Sequence, residues 1–242
     1  MPHTIASADS LAPIVGSLAA LRASQGEARV HGVAPEILTG GGIRWVPATR
    51  YVDGTALPSL LDAAVRRWLA PRHVAAALAW KQYTYWLLLP PVLGYAVAGR
   101  VPDMSATNVL VRREDDPALV RLGLVAPRVA AGPDEAARLA LFRRGVLDEH
   151  LGPMLEQLRG LAHVGRRTLL GSIASAVCHI LVRAQPELPG DIRPTAATLL
   201  DALGVADLAE LTPDLGVQRR TCCLAFTLPT SKICDGCCIR HP

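Results

Sequence analysis

Five of the six cysteines in this 242-residue chain fall between positions 222 and 238. The segment reads Arg219-Arg220-Thr221-Cys222-Cys223, then ten residues, then Cys234-Asp235-Gly236-Cys237-Cys238. Packing alone does not call for thiols this dense. Four thiolates converging on one metal centre do, and two short turns can supply them. The tail must therefore fold back until its two cysteine turns meet. The remaining cysteine, Cys178, lies in an apolar stretch and reads as an inert core thiol.

The body that carries this tail is large enough to fold without disulfides, since a chain of this size buries roughly 70–75% of its surface. Half of its residues are apolar, mostly Ala, Leu and Val, with only two Phe, four Tyr and four Trp. That composition predicts a close-packed, mainly helical core. A formal charge of +4, without a basic stripe and interleaved aromatics, argues against nucleic acid. The apolar run Leu11–Leu21 is preceded by Asp9 and by no Lys or Arg, which predicts an ordinary amphipathic helix rather than a secretory signal.

Two further apolar stretches bear on a membrane. Trp86–Ala98 is interrupted by Pro90-Pro91, and the 14 residues Leu169–Val182 include Ser172, Ser175 and His179. Both fall short of the roughly 18–20 residues that span a bilayer. The expectation is a cytoplasmic protein with no integral membrane segment. In a reducing compartment clustered cysteines bind metal more often than they pair.

Periodicity predicts an α+β fold: a mixed N-terminal half with a small antiparallel sheet over 1–132, and a mainly helical region over 133–242 ending in the cysteine tail, 218–242. Asp9 or Ser10 caps a first helix to about Arg22. Residues 26–42 read as short strands and loops, and Ile43–Val46 as a strand. Ser59 is expected to cap a helix over Leu60–Leu69. The next helix is expected from Arg72 to Leu89, stopping at Pro90-Pro91. Asn108–Arg113 and Pro127–Ala130 read as strands, with a turn at Glu114–Pro117. Helices follow at 133–144, 148–162, 165–183 and 195–203, with an extended link over Gln185–Pro194.

The cysteine spacing by itself leaves three chemistries open. The Cys-x2-Cys knuckle, relaxed by Gly236, suits structural zinc, which would make the tail a folding clip. The vicinal pair Cys222-Cys223 sits awkwardly on one small ion, because neighbouring side chains diverge; a rhombic two-iron cluster spreads its ligand sites further. A disulfide or redox thiol set is the third. A CDGSH-like site fits poorly, because position 238 is Cys where that pattern needs His. His163 and His179 read as core or cap residues, and His241 lies four positions after Cys237.

Arg219-Arg220-Thr221-Cys222-Cys223-Leu224-Ala225-Phe226, with Leu228-Pro229 and Cys234-x2-Cys237, resembles the C-terminal signature of the FhuF-type ferric siderophore reductases. A second patch, Leu169-Leu170-Gly171-Ser172-Ile173-Ala174-Ser175-Ala176, is similar to that family's Leu-Trp-Gly-Asn-x-Ala-Ser-Ala, with Leu170 and Ser172 replacing its Trp and Asn. The resemblance implies a C-terminal iron–sulfur tail in which Cys222, Cys223, Cys234 and Cys237 hold a 2Fe–2S cluster, with Cys238 left over as a small packed residue. It implies a cytoplasmic oxidoreductase of iron homeostasis that reduces a ferric siderophore of hydroxamate type by electron transfer. Its electron donor would be a ferredoxin or a nicotinamide-dependent reductase. The family's body also resembles, distantly, siderophore synthetases of the IucA/IucC type, but no phosphate-binding pattern is present here.

Four thiolates leave a two-iron centre with a net charge of minus two oxidised and minus three reduced, so nearby cations favour reduction. Arg219, Arg220, Lys232 and Arg240 are the candidates for tuning the potential or touching the substrate. A concave site between the two halves is expected for the chelate, with Arg44 and Trp45 as possible contacts. The competing functions are a zinc-stabilised, non-redox binding protein and a 2Fe–2S electron carrier or sensor.

Overall fold

The computed structural model describes residues 3–40, 42–114, 119–131, 133–230, 233–234 and 236–239. The first half alternates strands and helices: β1 (His3–Ala6), α1 (Ala12–Gln25), β2 (Val33–Leu38), β3 (Trp45–Pro47), α2 (Thr49–Val52), α3 (Leu57–Trp68), α4 (Arg72–Ala98), β4 (Val101–Pro102), β5 (Val109–Arg113), β6 (Val120–Leu124) and β7 (Arg128–Ala131). The second half is helical: α5 (Glu135–Arg143), a π-helix at Arg144–Leu151, α6 (Gly152–Ala162), α7 (Arg166–Ala184) and α8 (Ile192–Leu203). A hairpin of β8 (Ala209–Leu211) and β9 (Val217–Arg219) leads into the cysteine tail. This is the α+β architecture that the composition and periodicity predict.

One sheet orders β2-β6-β5-β3, with β5 antiparallel to both neighbours and β2 parallel to β6. The other, β1-β7-β4, is antiparallel throughout. A continuous apolar core runs from Leu11 to Val217, and α4 and α7 form its most extensive helix pair. The Trp80 indole N–H donates to the Leu169 carbonyl at 2.8 Å and locks the two together.

Several local expectations need correction. Helix α4 does not stop at Pro90-Pro91 but continues to Ala98. Proline removes intrahelical donors and usually breaks a helix. Here Leu87–Leu93 are fully buried, so packing on both flanks holds the helix through the break. Ser59 does not cap α3: the helix begins at Leu57, and the Ser59 hydroxyl donates back to the Ala56 carbonyl at 3.0 Å. Helix α8 begins at Ile192, capped by Asp191, so Pro194 sits in its first turn rather than in an extended link. Most of the turn expected at Glu114–Pro117 lies outside the described residues.

Among the described residues, the segment Arg166–Glu187, which contains α7, is long and apolar enough to cross a membrane, but 67% of its apolar window is buried inside the protein. It serves as the central core helix.

His150, in the π-helix, is fully buried. Its Nδ1–H donates to the Met104 carbonyl at 2.8 Å, so Nε2 is left to accept from the Tyr83 hydroxyl at 2.7 Å. Burial pushes its pKa from 6.5 down to about 4. The unfolded chain therefore takes up a proton near pH 6.5 that the folded chain refuses until about pH 4. Stability from this residue is complete above pH 6.5 and falls by roughly 3 kcal/mol as pH drops towards 4. Urea unfolding across that range should show a shallower pH slope for His150→Gln than for the parent protein.

Candidate metal centre

The tail is held in place by backbone pairing. The Arg219 N–H donates to the Gly236 carbonyl at 3.0 Å and the Arg220 N–H to Leu208 at 2.9 Å. Gly236 has no room for a side chain: a Cβ there would lie 1.4 Å from the Val217 carbonyl oxygen. The Cys-x2-Cys knuckle is therefore clasped against β9, the strand that leads into Cys222-Cys223. Within the knuckle the Cys237 N–H donates to the Cys234 carbonyl at 3.1 Å. On the other turn, Leu224 adopts a left-handed backbone with φ 65°, and its N–H donates to the Cys222 sulfur at 3.3 Å.

The tail also sits tightly on α7. A Cβ at Gly171 would lie 1.8 Å from Thr221 Oγ1. The glycine of the second patch is therefore where Thr221, next to the vicinal cysteines, nests on the helix.

These contacts bring the cysteines together in sets. The sulfurs of Cys223 and Cys234 act on each other, which lowers the pKa of Cys223 and raises that of Cys234. Burial raises the Cys238 thiol, and the charges of Cys222 and Cys237 raise it further. Cys223 and Cys237 are buried, the other three are half-buried, and none is in a disulfide. Among the described residues, no three His, Cys, Asp or Glu side chains close to metal-ligand geometry. Cys178 stands apart in α7, its thiol pushed up to about 12 by burial.

The donor set has a matching counter-charge. Arg219 is 1% exposed, and its three guanidinium nitrogens have no hydrogen-bond partner among the described residues. Its charge is felt at Cys223, Cys234 and Cys238, where it favours the thiolate. A buried, unpaired cation is costly, commonly several kcal/mol. An anionic centre on the neighbouring sulfurs would remove that cost. The residues present therefore fit a thiolate-held cluster.

Arg220 is placed differently. It is exposed and pairs with Glu210 at 3.1 Å. Lys232, Asp235, Arg240 and His241 lie outside the described residues.

Cys223 and Cys234 form part of the wall of a cavity of about 600 Å³ between α4, α7 and the tail. Helix α4 contributes Lys81, Gln82, Tyr85 and Trp86; helix α7 contributes Ser172, Ser175, His179 and Arg183. Each set repeats at helical spacing and so lines one face. Trp45 is elsewhere, on β3 with the Arg112 guanidinium 5.2 Å from its ring, and neither it nor Arg44 lines the cavity. The signal for the α4 wall was Lys81, one of only two lysines in the chain, set in an otherwise apolar helix.

The sequence model of the ferric iron reductase FhuF-like transporter family matches residues 78–220, more than half of the chain. The chain belongs to this FhuF-like family. The match includes α4 from Leu78 onward, α7 and Arg219 and ends two residues before Cys222, so the cysteine assignment rests on the tail's own residues. No curated protein matches the chain.

Proposed function

We propose that this FhuF-like protein is a ferric siderophore reductase whose Cys222, Cys223, Cys234 and Cys237 hold a 2Fe–2S cluster. The observation that carries this reading is the buried Arg219, its guanidinium without a hydrogen-bond partner among the described residues, beside two cysteine turns that border an open cavity. When bound, the cluster supplies one electron at a time. The chain's own residues do the rest. Gly236 and Gly171 clasp the tail, Arg219 balances negative charge, and α4 and α7 shape a site beside Cys223 and Cys234 where a chelate can dock.

The substrate iron gains one electron and leaves as ferrous. Hard oxygen donors hold ferric iron far better than ferrous, so no bond in the chelator need be cut. The electron comes from a ferredoxin or a nicotinamide-dependent reductase in the cytoplasm. A hydroxamate siderophore is the first substrate to try.

The test has two parts. Anaerobically purified protein should be reddish-brown, contain iron and acid-labile sulfide, and give an EPR signal after dithionite reduction. Colourless protein with zinc in equal amount to the chain would establish the folding-clip alternative instead. Reduced protein mixed with a ferric hydroxamate should reoxidise, and ferrous iron should appear in a ferrozine trap. The trap matters because each 59 mV of unfavourable potential costs about tenfold for one electron. If several ferric hydroxamates leave the reduced protein unchanged with the trap present, it is a carrier or sensor and not a reductase of that class.

A further inference from the structure

We propose that the cavity beside Cys223 and Cys234 selects ferric chelates of net negative charge, with Arg29 and Arg183 as the selecting residues. This rests on reading the cavity as the substrate site. Its described lining includes Arg29, Lys81, His179 and Arg183 and no carboxylate. Arg29, Lys81 and Arg183 form no ion pair among the described residues, although arginines elsewhere commonly do, as in Arg22–Glu27 and Arg167–Asp207.

Another cavity, about 490 Å³ beside the π-helix, makes the contrast. Its charged walls are neutralised internally, by Arg128–Asp103 at 3.0 Å and Arg144–Glu149 at 2.7 Å. The cavity at the cysteines keeps its positive charge available for a ligand.

Arg29, in the turn before β2, and Arg183, in the last turn of α7, bring positive charge to the cavity from elements outside the cysteine tail. Arg183 lies over the Tyr85 ring, 5.0 Å from its centre, which orients its guanidinium on an aromatic wall. Tyr85 in turn packs edge-on against Trp86 at 4.8 Å. Flat aromatic surface with a fixed cation suits a bulky chelate carrying exposed oxygen anions.

Ligand charge follows from simple chemistry. Three hydroxamates cancel the charge of ferric iron and leave the complex neutral. Replacing one by an α-hydroxycarboxylate, or adding a free carboxylate arm, leaves it negative. A pendant ammonium makes it positive. Unpaired arginines in a partly enclosed site favour the negative complexes and repel the positive ones, with an advantage that salt weakens.

The test uses gallium(III) chelates, which match ferric charge but cannot be reduced under these conditions. Binding to the full, cluster-loaded protein is followed by tryptophan fluorescence. Three probes are compared: a neutral trihydroxamate, a citrate-dihydroxamate of net negative charge, and a trihydroxamate with a pendant ammonium. At low ionic strength the negative chelate should bind about tenfold tighter than the neutral one, and the gap should narrow as salt rises. Arg29→Gln with Arg183→Gln should remove most of that preference and leave the cluster's absorption and EPR unaltered. Equal affinity for all three probes, no binding of any, or a variant that weakens all three alike overturns the proposal. Reduction is scored separately with the ferric forms. A protein that sorts gallium chelates by charge but reduces no ferric chelate would fail as a reductase while still bearing out the selectivity.

Discussion

Replacing Cys222, Cys223, Cys234 or Cys237 by serine should abolish the visible absorption and the EPR signal of the anaerobically purified protein, with near-complete loss of iron and labile sulfide. Cys238→Ser should retain all of them. The argument begins with the clasp. Gly236 and β9 bring the Cys234–Cys237 knuckle against the strand that leads into Cys222-Cys223. Cys223 and Cys234 line the same cavity wall, and the Cys222 sulfur already accepts the Leu224 N–H, a bond that stabilises a thiolate ligand. Cys237 is buried and Cys238 is half-exposed, so of the adjacent pair the inner one is assigned as ligand. Serine cannot supply a thiolate, and a cluster with three good ligands is lost or strongly altered. A Cys222→Ser protein with unchanged absorption and EPR would remove Cys222 from the ligand set. Loss of iron on Cys238→Ser would exchange the roles of Cys237 and Cys238.

The tail's two cysteine turns were legible in the sequence because their spacing is local information, while the choice of four ligands among the five thiols came from the family resemblance. The helices of the second half were legible for the same reason, through periodicity. Helix α4 beyond Pro90-Pro91 was not, because the packing that carries it past two prolines comes from distant segments; a Cβ at Gly94, for instance, would lie 2.8 Å from Ile14 Cδ1. The cavity's lining was illegible because Lys81, His179 and Cys223 are far apart in the chain and meet only when α4 packs on α7. Arg219 is the instructive case. An Arg-Arg pair suggests solvent, yet β9 alternates: Val217 and Arg219 are buried while Arg220 is exposed. A two-residue period through Val217-Gln218-Arg219-Arg220 was the signal that one arginine faces inward.

Arg219 should affect the empty and the loaded protein in opposite directions. Without a cluster it is a buried cation with no partner among the described residues, so Arg219→Leu should stabilise the metal-free protein, by about 1–3 kcal/mol in urea unfolding. With a cluster the same change removes a buried positive charge that acts on the sulfurs. The reduced centre carries one more negative charge than the oxidised one, so losing the cation disfavours reduction. A charge-assisted contact worth about 1.5–3 kcal/mol corresponds to a potential lower by roughly 65–130 mV. Arg219→Lys keeps the charge on a different donor geometry and should keep most of the potential. Redox titration followed by EPR reads the shift directly, and it does not depend on any siderophore being turned over. A purely structural role for Arg219 predicts the reverse pattern: Arg219→Leu would weaken the metal-free protein, and the potential would not distinguish Leu from Lys. Observing that pattern would end the case for Arg219 as the counter-charge of the metal centre.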